Sequence, residues 1–149
     1  MKLTDEERKK YINSLFEIYP VCRKLVFDTF DKKKYGITRT QQVIMLTLNL
    51  NGTLTMSGLA SKINTSNEQA TRAVAQLVEK GFIERMHDPA NRRIIKIRLT
   101  EEAVAFVEQI KKEMHEEILE KFSLFTDSEL SELITATNTI AQKLKKLTT

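Results

Sequence analysis

A single glycine, Gly81, divides residues 56–100 into a part with helical spacing and a part with strand spacing. On the helical side, apolar residues recur every three or four positions, as on the buried face of an α-helix: Ala70, Ala73, Val74, Leu77 and Val78. A shorter amphipathic helix is predicted over 56–63, and the polar residues 64–66 form a turn between the two helices. Because glycine commonly ends a helix, the second helix is predicted over 67–80.

Two short apolar segments after this glycine predict a pair of antiparallel strands. They cover residues 82–86 and 92–99, and the turn sequence Asp-Pro-Ala-Asn at 88–91 joins them. Arg92 and Arg93 lie at the tip of this hairpin. A helix, a turn, a second helix and a two-stranded ribbon with a basic tip are the plan of a winged helix-turn-helix, a fold suited to binding duplex DNA.

Charged residues are distributed unevenly along the 149 residues, whose formal net charge is +4. Residues 54–99 contain eight Lys or Arg and four Asp or Glu, and residues 1–53 contain ten and six, so each part carries a net charge of +4. Residues 100–149 contain six and ten, a net charge of −4. Residues 1–53 and 54–99 therefore suit a polyanionic partner, and residues 100–149 do not.

The outer face of the second predicted helix is polar and carries amide, hydroxyl and guanidinium groups: Asn67, Glu68, Thr71, Arg72 and Gln76. Such groups hydrogen-bond base edges in the major groove, so this face is predicted to read DNA. Glu68 is unusual in a site for a polyanion. It can accept from a cytosine amino group, orient Arg72 or complete the cap suggested by the Ser-Asn-Glu-Gln spacing at 66–69, and the cap is the simplest interpretation. Of Arg92 and Arg93, one is predicted to enter the minor groove and the other to contact a phosphate.

Amphipathic helices are predicted on both sides of this central region. Residues 4–34 have helical spacing, and Pro20 either kinks that helix or begins a new one. Further helices, each opened by a threonine cap, are predicted over 38–49, over 100–121 and from residue 126 onward. Their apolar faces exceed what the small central region can cover. The N- and C-terminal helices are therefore predicted to pack together and against those of a second chain.

The predicted fold is mainly α with a small β-wing. It comprises an N-terminal dimerisation helix over residues 1–35 and a winged helix-turn-helix DNA-binding domain over residues 36–100. C-terminal dimerisation helices follow over residues 101–149.

Several motifs occur in a characteristic order along the chain: Leu15-Phe16-Glu17-Ile18-Tyr19-Pro20, Gly36-Ile37-Thr38 with Gln41, Leu59-Ala60, Thr71-Arg72, Leu77-Val78-Glu79-Lys80-Gly81-Phe82-Ile83-Glu84-Arg85, Asp88-Pro89-Ala90-Asn91-Arg92-Arg93, and Leu99-Thr100-Glu101-Glu102-Ala103. No single motif is specific, but the combination resembles the MarR family (multiple antibiotic resistance regulators).

The resemblance implies an obligate homodimer that binds palindromic double-stranded DNA and represses transcription until a ligand binds between the dimerisation helices and the winged domain. Its DNA-contacting positions fall here on the reading helix and the wing. With those inferred from the residues themselves, the predicted DNA-binding set is Ser66, Asn67, Glu68, Gln69, Thr71, Arg72, Gln76, Arg92 and Arg93. Arg93 falls on the arginine that enters the minor groove in the family. The acid usual two residues before it is Asn91 here, which can hold a neighbouring backbone or guanidinium group but carries no charge.

The effector is predicted to be a small apolar or aromatic molecule. The candidate pocket residues are Tyr11, Phe16, Tyr19 and Met45, which serve equally well as ordinary core. No cofactor is predicted. The absence of a signal peptide, of a membrane-spanning apolar run and of paired cysteines predicts a cytoplasmic protein with no membrane partner.

Two other functional classes stay open: a redox sensor on the same scaffold, and a winged-helix adaptor for protein contacts. Some members of the family sense peroxides through a cysteine in the first helix. That cysteine falls nearer Leu15 than Cys22, which is interpreted as inert core. His87 and His115 are far apart in sequence, so no metal site is predicted. The sequence contains no nucleophile elbow, phosphate loop or paired histidine and carboxylate, so no enzymatic activity is predicted.

Overall fold

The computed structural model describes residues 1–28 and 32–148, and these residues form a mainly helical fold with one small antiparallel sheet. The elements, in chain order, are α1 (Asp5–Phe27), α2 (Lys32–Tyr35), α3 (Arg39–Asn51), β1 (Leu54–Thr55), α4 (Met56–Lys62), α5 (Asn67–Glu79), β2 (Ile83–His87), β3 (Ile95–Leu99), α6 (Glu101–Lys121) and α7 (Asp127–Leu144). Short 3-10 turns follow α6 and α7. The predicted fold class, mainly α with a β-wing, is confirmed.

The first helix begins where it was predicted and ends earlier. It runs through Pro20 without ending, because proline already has the helical φ and its missing N–H removes a single rung of hydrogen bonds. It ends at Phe27, and α2 is a separate helix of one turn. The prediction of one helix over 4–34 is therefore wrong at its C-terminal end, and its part at 29–31 lies outside the described residues.

The sheet has the strand order β1-β3-β2, and both pairs are antiparallel. Leu54 pairs with Ile97, and Ile83 pairs with Leu99, so β3 lies in the middle. The prediction that the second wing strand begins at residue 92 is wrong, since β3 begins at Ile95. Both tip arginines therefore lie in the turn, where ladder hydrogen bonds do not constrain their backbone.

The hydrophobic core of the first part of the chain lies between α3, α4, α5, the sheet and α6. It contains the predicted inward face of α5, with Val74 and Leu77 fully buried. Leu50 is 79% exposed at the end of α3, where Gly52 caps the helix. Gln42 is the unexpected member, with only 1% of its surface exposed.

An aromatic contact joins the segment between α5 and β2 to α6. The rings of Phe82 and Phe106 are stacked, with centroids 5.0 Å apart and planes 10° apart. Tyr35 meets the edge of Phe106 at 6.2 Å, and its hydroxyl hydrogen-bonds the Glu113 carboxylate. This bond, followed by the one from Lys34, holds the pKa of Glu113 below its ordinary value.

The chain divides into two compact units, Met1–Met114 and His115–Thr149. In the first unit, α1 exposes large apolar and aromatic side chains: Tyr11, Ile12, Phe16, Ile18, Tyr19, Val21 and Val26. In the second, Leu133 and Ile134 of α7 are exposed. Among the described helices, none combines the length and the apolar character needed to cross a membrane. The dimerisation and DNA-binding bounds predicted from the sequence stay predictions.

Candidate nucleic-acid interface

The N-terminus of α5 is closed by a serine cap. The Oγ atom of Ser66 accepts a hydrogen bond from the Gln69 backbone N–H at 3.1 Å. The reciprocal half of the predicted capping box is not formed, because the Gln69 side chain instead accepts from the Thr65 hydroxyl at 2.6 Å. The start of the helix is therefore fixed from two sides, by its cap and by the turn that precedes it.

The two faces of α5 differ sharply in exposure. Ala70, Ala73, Val74 and Leu77 are buried, whereas all the predicted DNA-binding residues of this helix are exposed: Asn67, Glu68, Gln69, Thr71, Arg72 and Gln76. The structure thus brings the predicted reading residues together on one helix. The Thr71 hydroxyl donates a hydrogen bond to the Asn67 carbonyl at 2.7 Å.

Glu68 pairs with Arg72 rather than completing the helix cap. The carboxylate Oε1 atom lies 3.3 Å from Nη2 of Arg72, one turn along the helix. The interpretation that Glu68 merely completes the cap is therefore wrong, since its carboxylate contacts Arg72. Of the roles considered for this acid, orienting the guanidinium is the one that its contact supports.

Gln76 is tied to another helix. Its Oε1 atom accepts a hydrogen bond of 2.8 Å from the Nε2 atom of Gln41. Gln41 is 4% exposed, and its own Oε1 accepts from the Thr38 backbone N–H at 2.9 Å as part of the predicted capping box of α3. The capping spacing at Thr38 was visible in the sequence, but the partner on α5 was not. Gln76 as a DNA contact stays a prediction.

Asp88 organises the hairpin that carries the basic tip. Its carboxylate accepts from the Ala90 backbone N–H at 2.8 Å and lies 3.3 Å from Nζ of Lys96 on β3. The hydrogen bond from Ala90, followed by that from Lys96, holds the pKa of Asp88 below its ordinary value. The loop is therefore anchored at its first residue by a charged group.

Asn91 holds the backbone of the wing arginine. Its Oδ1 atom accepts from the Arg93 backbone N–H at 3.1 Å, and its own carbonyl accepts from the Ile94 N–H at 3.0 Å. His87 contacts the Arg92 carbonyl through Nδ1 at 2.9 Å. The expectation that an uncharged asparagine can hold a neighbouring backbone group is confirmed, and the side chains of both arginines remain exposed.

The wing and the reading helix meet at one cleft of about 360 Å³. Arg93 and Asn67 both line it, together with Thr55 and Ser57 at the start of α4. Sequence reasoning missed these two hydroxyl residues. The signal available for Thr55 was its position before α4, whose Gly58 N–H it caps at 3.0 Å.

Comparison with known proteins agrees with this geometry. Residues 37–95, from the residue before the α3 cap to the start of β3, match the model of the MarR family. Residues 37–95 are therefore a MarR family domain. It is 28% identical over 98 residues to the transcriptional regulator YsmB of Bacillus subtilis, an alignment that spans 66% of this chain and 67% of YsmB. It is 23% identical over 142 residues to the HTH-type transcriptional repressor MdtR of the same organism, across 95% and 90% of the two chains.

Among solved structures, a MarR family protein from Bacillus stearothermophilus has the same fold. The TM-score is 0.76 at 19% identity, and the match covers 97% of this chain and 99% of the other. This likeness shows the winged-helix fold, and the match to the family model together with the relatives named as transcriptional regulators shows a MarR-type DNA-binding transcriptional regulator.

The four candidate pocket residues of this MarR protein do not lie together. Tyr11, Phe16 and Tyr19 are exposed on α1, and Met45 is 1% exposed in the core. Tyr19 lines an open cleft of about 330 Å³ that also contains Arg23. Met45 lines a small apolar cavity, so the structure distributes these residues over different surroundings.

The remaining candidate residues have no shared site. Cys22 is exposed, so the interpretation of this cysteine as buried core is wrong for the chain as the structure describes it. The error arises because the apolar stripe of α1 faces away from the core. His115 is exposed, and within residues 1–28 and 32–148 no three metal-ligating side chains come together.

Proposed function

We propose that this MarR protein acts in the cytoplasm as a ligand-responsive repressor that binds a palindromic operator as a homodimer. The observation that carries the proposal is that the exposed polar face of α5 and the arginine-tipped wing line the same cleft. A helix that presents amide, hydroxyl and guanidinium groups fits the major groove, and a basic ribbon fits the adjoining minor groove or backbone.

The exposed apolar surface supports dimerisation. Phe16 and Tyr19 of α1 are 73% and 66% exposed, and Ile134 of α7 is 61% exposed. Several large exposed apolar side chains on one helix, as on α1, usually mark a protein–protein interface, since their burial removes apolar area from water. A second copy of the chain supplies the same surfaces by symmetry, and an isologous dimer closes on itself.

In the proposed complex, each reading helix enters one half-site of the palindrome. Arg72, Thr71 and Asn67 face the base edges, Ser66 lies at the backbone beside the helix N-terminus, and Arg93 enters the minor groove. Two copies related by a dyad then read half-sites about one helical turn apart. Occupation of a promoter by such a dimer excludes RNA polymerase, and the name of the relative MdtR supports the sign of repression.

A small apolar or aromatic effector is the proposed release signal. A ligand can weaken DNA binding only if its affinity differs between the DNA-competent state and the other state. The cleft lined by Tyr19 has a volume of about 330 Å³ and presents both apolar and cationic side chains, which suits a small organic molecule.

The test is selection of binding sites from a random-sequence DNA library, followed by footprinting and by measurement of the mass of the complex. We expect an inverted repeat, a symmetric footprint and two chains for each operator. A reporter gene placed behind the selected operator should be repressed by the protein. Selection without any enriched sequence would contradict the proposed function, and activation of the reporter would contradict its sign.

A further inference from the structure

A short chain of hydrogen bonds runs from the start of α3 to the side of α5. The backbone N–H of Thr38 donates to the Oε1 atom of Gln41 at 2.9 Å, and the Nε2 atom of Gln41 donates to the Oε1 atom of Gln76 at 2.8 Å. The first member of this chain caps α3, and the last is exposed on the proposed reading helix. Gln41, in the middle, is 4% exposed, so water has little access to either bond.

The direction of each bond in this chain follows from the first donor. A backbone N–H can only donate, so the side-chain atom of Gln41 that faces Thr38 must be the amide oxygen. The amide nitrogen of Gln41 then faces Gln76. Because this nitrogen also can only donate, the Gln76 atom that meets it must be an oxygen. The backbone of α3 thus determines which way both amides are turned.

This direction leaves the amide nitrogen of Gln76 at the exposed end of the chain. Within the part of the chain that the structure describes, this nitrogen has no hydrogen-bond partner, since the bond to Gln41 uses the oxygen. Gln76 lies one turn after Arg72 on the same side of α5, about 6 Å further along the helix axis. The group next to the guanidinium of Arg72 is therefore a second hydrogen-bond donor.

We infer that Gln41 is a positioning residue that makes α5 present only donors to DNA at Gln76. The partner on DNA is then an acceptor close to the one that Arg72 contacts, either a phosphate oxygen or the O6, N7 or O4 atom of a base. A glutamine that turns freely can also offer its oxygen to an amino group, and its bidentate contact with adenine needs both amide atoms. With its oxygen turned towards Gln41, Gln76 is restricted to acceptors. The inference rests on the proposed function, since it requires that α5 faces DNA.

The variant Gln41→Glu separates this positioning role from the helix cap. A glutamate in this place of a capping box still accepts from the Thr38 N–H, but it has no N–H group to donate to Gln76. The Gln76 amide then turns its nitrogen towards the carboxylate and its oxygen towards DNA. We expect operator affinity to fall about two- to tenfold further than in Thr40→Glu, which adds the same charge at an exposed neighbouring position. Circular dichroism melting checks that both variants fold.

A double-mutant cycle with Gln76→Leu tests whether the effect passes through Gln76. Leucine has no polar atom to turn, so in the Gln76→Leu background Gln41→Glu should weaken binding no more than Thr40→Glu does. A structural role of Gln41, or a purely electrostatic effect of the new charge, would give the same loss in both backgrounds. That result would overturn the inference.

Modified operators identify the acceptor, and they do not depend on whether Gln41→Glu folds. Methylphosphonate linkages each replace a charged phosphate oxygen, and base analogues can lack O6, N7 or O4. One such position should cost the unsubstituted protein about two- to tenfold in affinity and should cost Gln76→Leu nothing. A linkage assigns the donor to the DNA backbone, and a base analogue assigns it to the major groove. An operator in which no modification has a cost that depends on Gln76 would overturn the inference.

The inference and the proposed function fail separately. Selection of an operator, together with costs that are the same with and without Gln76, would contradict the inference and leave the repressor intact. A protein that selects no operator, but whose binding to a random duplex shows the coupling between Gln41 and Gln76, would support the inference and contradict the proposed repressor. Failure of the unsubstituted chain to bind any duplex would contradict both.

Discussion

The Nη2 atom of Arg72 lies 3.3 Å from the Oε1 atom of Glu68, one turn earlier on the exposed face of α5. Both side chains are largely exposed, at 69% and 83%. An exposed pair of this kind contributes at most about 1 kcal/mol, so it orients the guanidinium without locking it. Arg72 is thus poised above the helix surface and free to exchange its carboxylate partner for a base edge.

Arg72→Ala should therefore weaken operator binding and relax the sequence preference. A bidentate contact to a base contributes about 1–3 kcal/mol of discrimination, which corresponds to roughly a 5- to 150-fold loss. Fluorescence anisotropy with the selected operator and with single-base variants measures both effects. The control is Glu68→Gln, which keeps the shape of the partner and removes a negative charge from the DNA face, and it should bind as tightly as the unsubstituted protein or more tightly. An unchanged preference in Arg72→Ala would show that α5 is not the reading helix.

At the wing, Asn91→Ala should reproduce part of the effect of Arg93→Ala. The alanine removes the acceptor that holds the Arg93 backbone N–H, so the tip loses order while the charge stays. Arg93→Ala should lower the affinity for all duplexes and flatten the salt dependence by about one unit. Asn91→Asp restores an acceptor at the same position and should bind like the unsubstituted protein. A salt dependence that is unchanged in Arg93→Ala would argue that the wing does not contact DNA.

The carboxyl of Asp88 should titrate below its ordinary pKa of 3.8 in the folded protein. A pKa that is lower in the folded state stabilises the wing above the unfolded-state pKa, and this contribution is lost as the pH falls through the folded pKa. Carbon-13 NMR titration measures the value directly. Lys96→Met should raise it only in part, because the larger contribution, the Ala90 hydrogen bond, remains. A pKa restored fully to 3.8 in Lys96→Met would contradict the hydrogen-bonded turn.

Gln42→Leu should stabilise the fold. Gln42 is 1% exposed, its Nε2 donates only a weak bond to Sδ of Met114 at 3.5 Å, and within the described part of the chain its Oε1 atom has no hydrogen-bond partner. A buried acceptor without a partner costs about 1–3 kcal/mol, so an apolar residue of similar size should raise the free energy of unfolding by about 1 kcal/mol. Leu77→Ala on α5 gives the opposite reference, a loss of about 2–5 kcal/mol. Denaturation in urea shows whether the free energy of unfolding rises or falls. A destabilised Gln42→Leu would mean that the Gln42 Oε1 atom has a partner.

Peroxide should affect DNA binding by Cys22→Ser and by the unsubstituted protein alike. Cys22 is exposed on α1 and is the single cysteine of the chain, so no second thiol within the chain can resolve an oxidised sulfur as a disulfide. The measurement is operator affinity before and after hydrogen peroxide, with mass spectrometry to read the oxidation state. A response that disappears in Cys22→Ser would establish the redox-sensor alternative.

Where burial follows local periodicity, the sequence predicts the structure well. Val74 and Leu77 recur at helical spacing and are buried, and Gly81 takes the φ of 79° that lets the chain turn from helix to wing. The threonine at residue 38 forms the complete capping box that its spacing indicates. Each of these features depends on residues within a few positions of one another, which is the range over which a sequence pattern acts.

The features that sequence reasoning missed depend on contacts between distant positions. Gln76 has the pattern of a solvated amide on an exposed helix face, but it accepts a hydrogen bond from Gln41, 35 residues earlier. The exposure of Cys22 has the same origin, because a helical stripe gives the direction of the apolar face without saying what covers it.

The stack between Phe82 and Phe106 determines which motions of α6 are transmitted to the segment that follows α5. Two nearly parallel rings can glide sideways while keeping most of their contact, but tilting them opens a gap and removes dispersion attraction along one edge. Phe82 lies three residues after the end of α5, so this contact permits sliding between α6 and the segment that follows α5. A shift of α6 parallel to the rings would keep this contact, and in the proposed dimer it would displace α5 relative to its half-site.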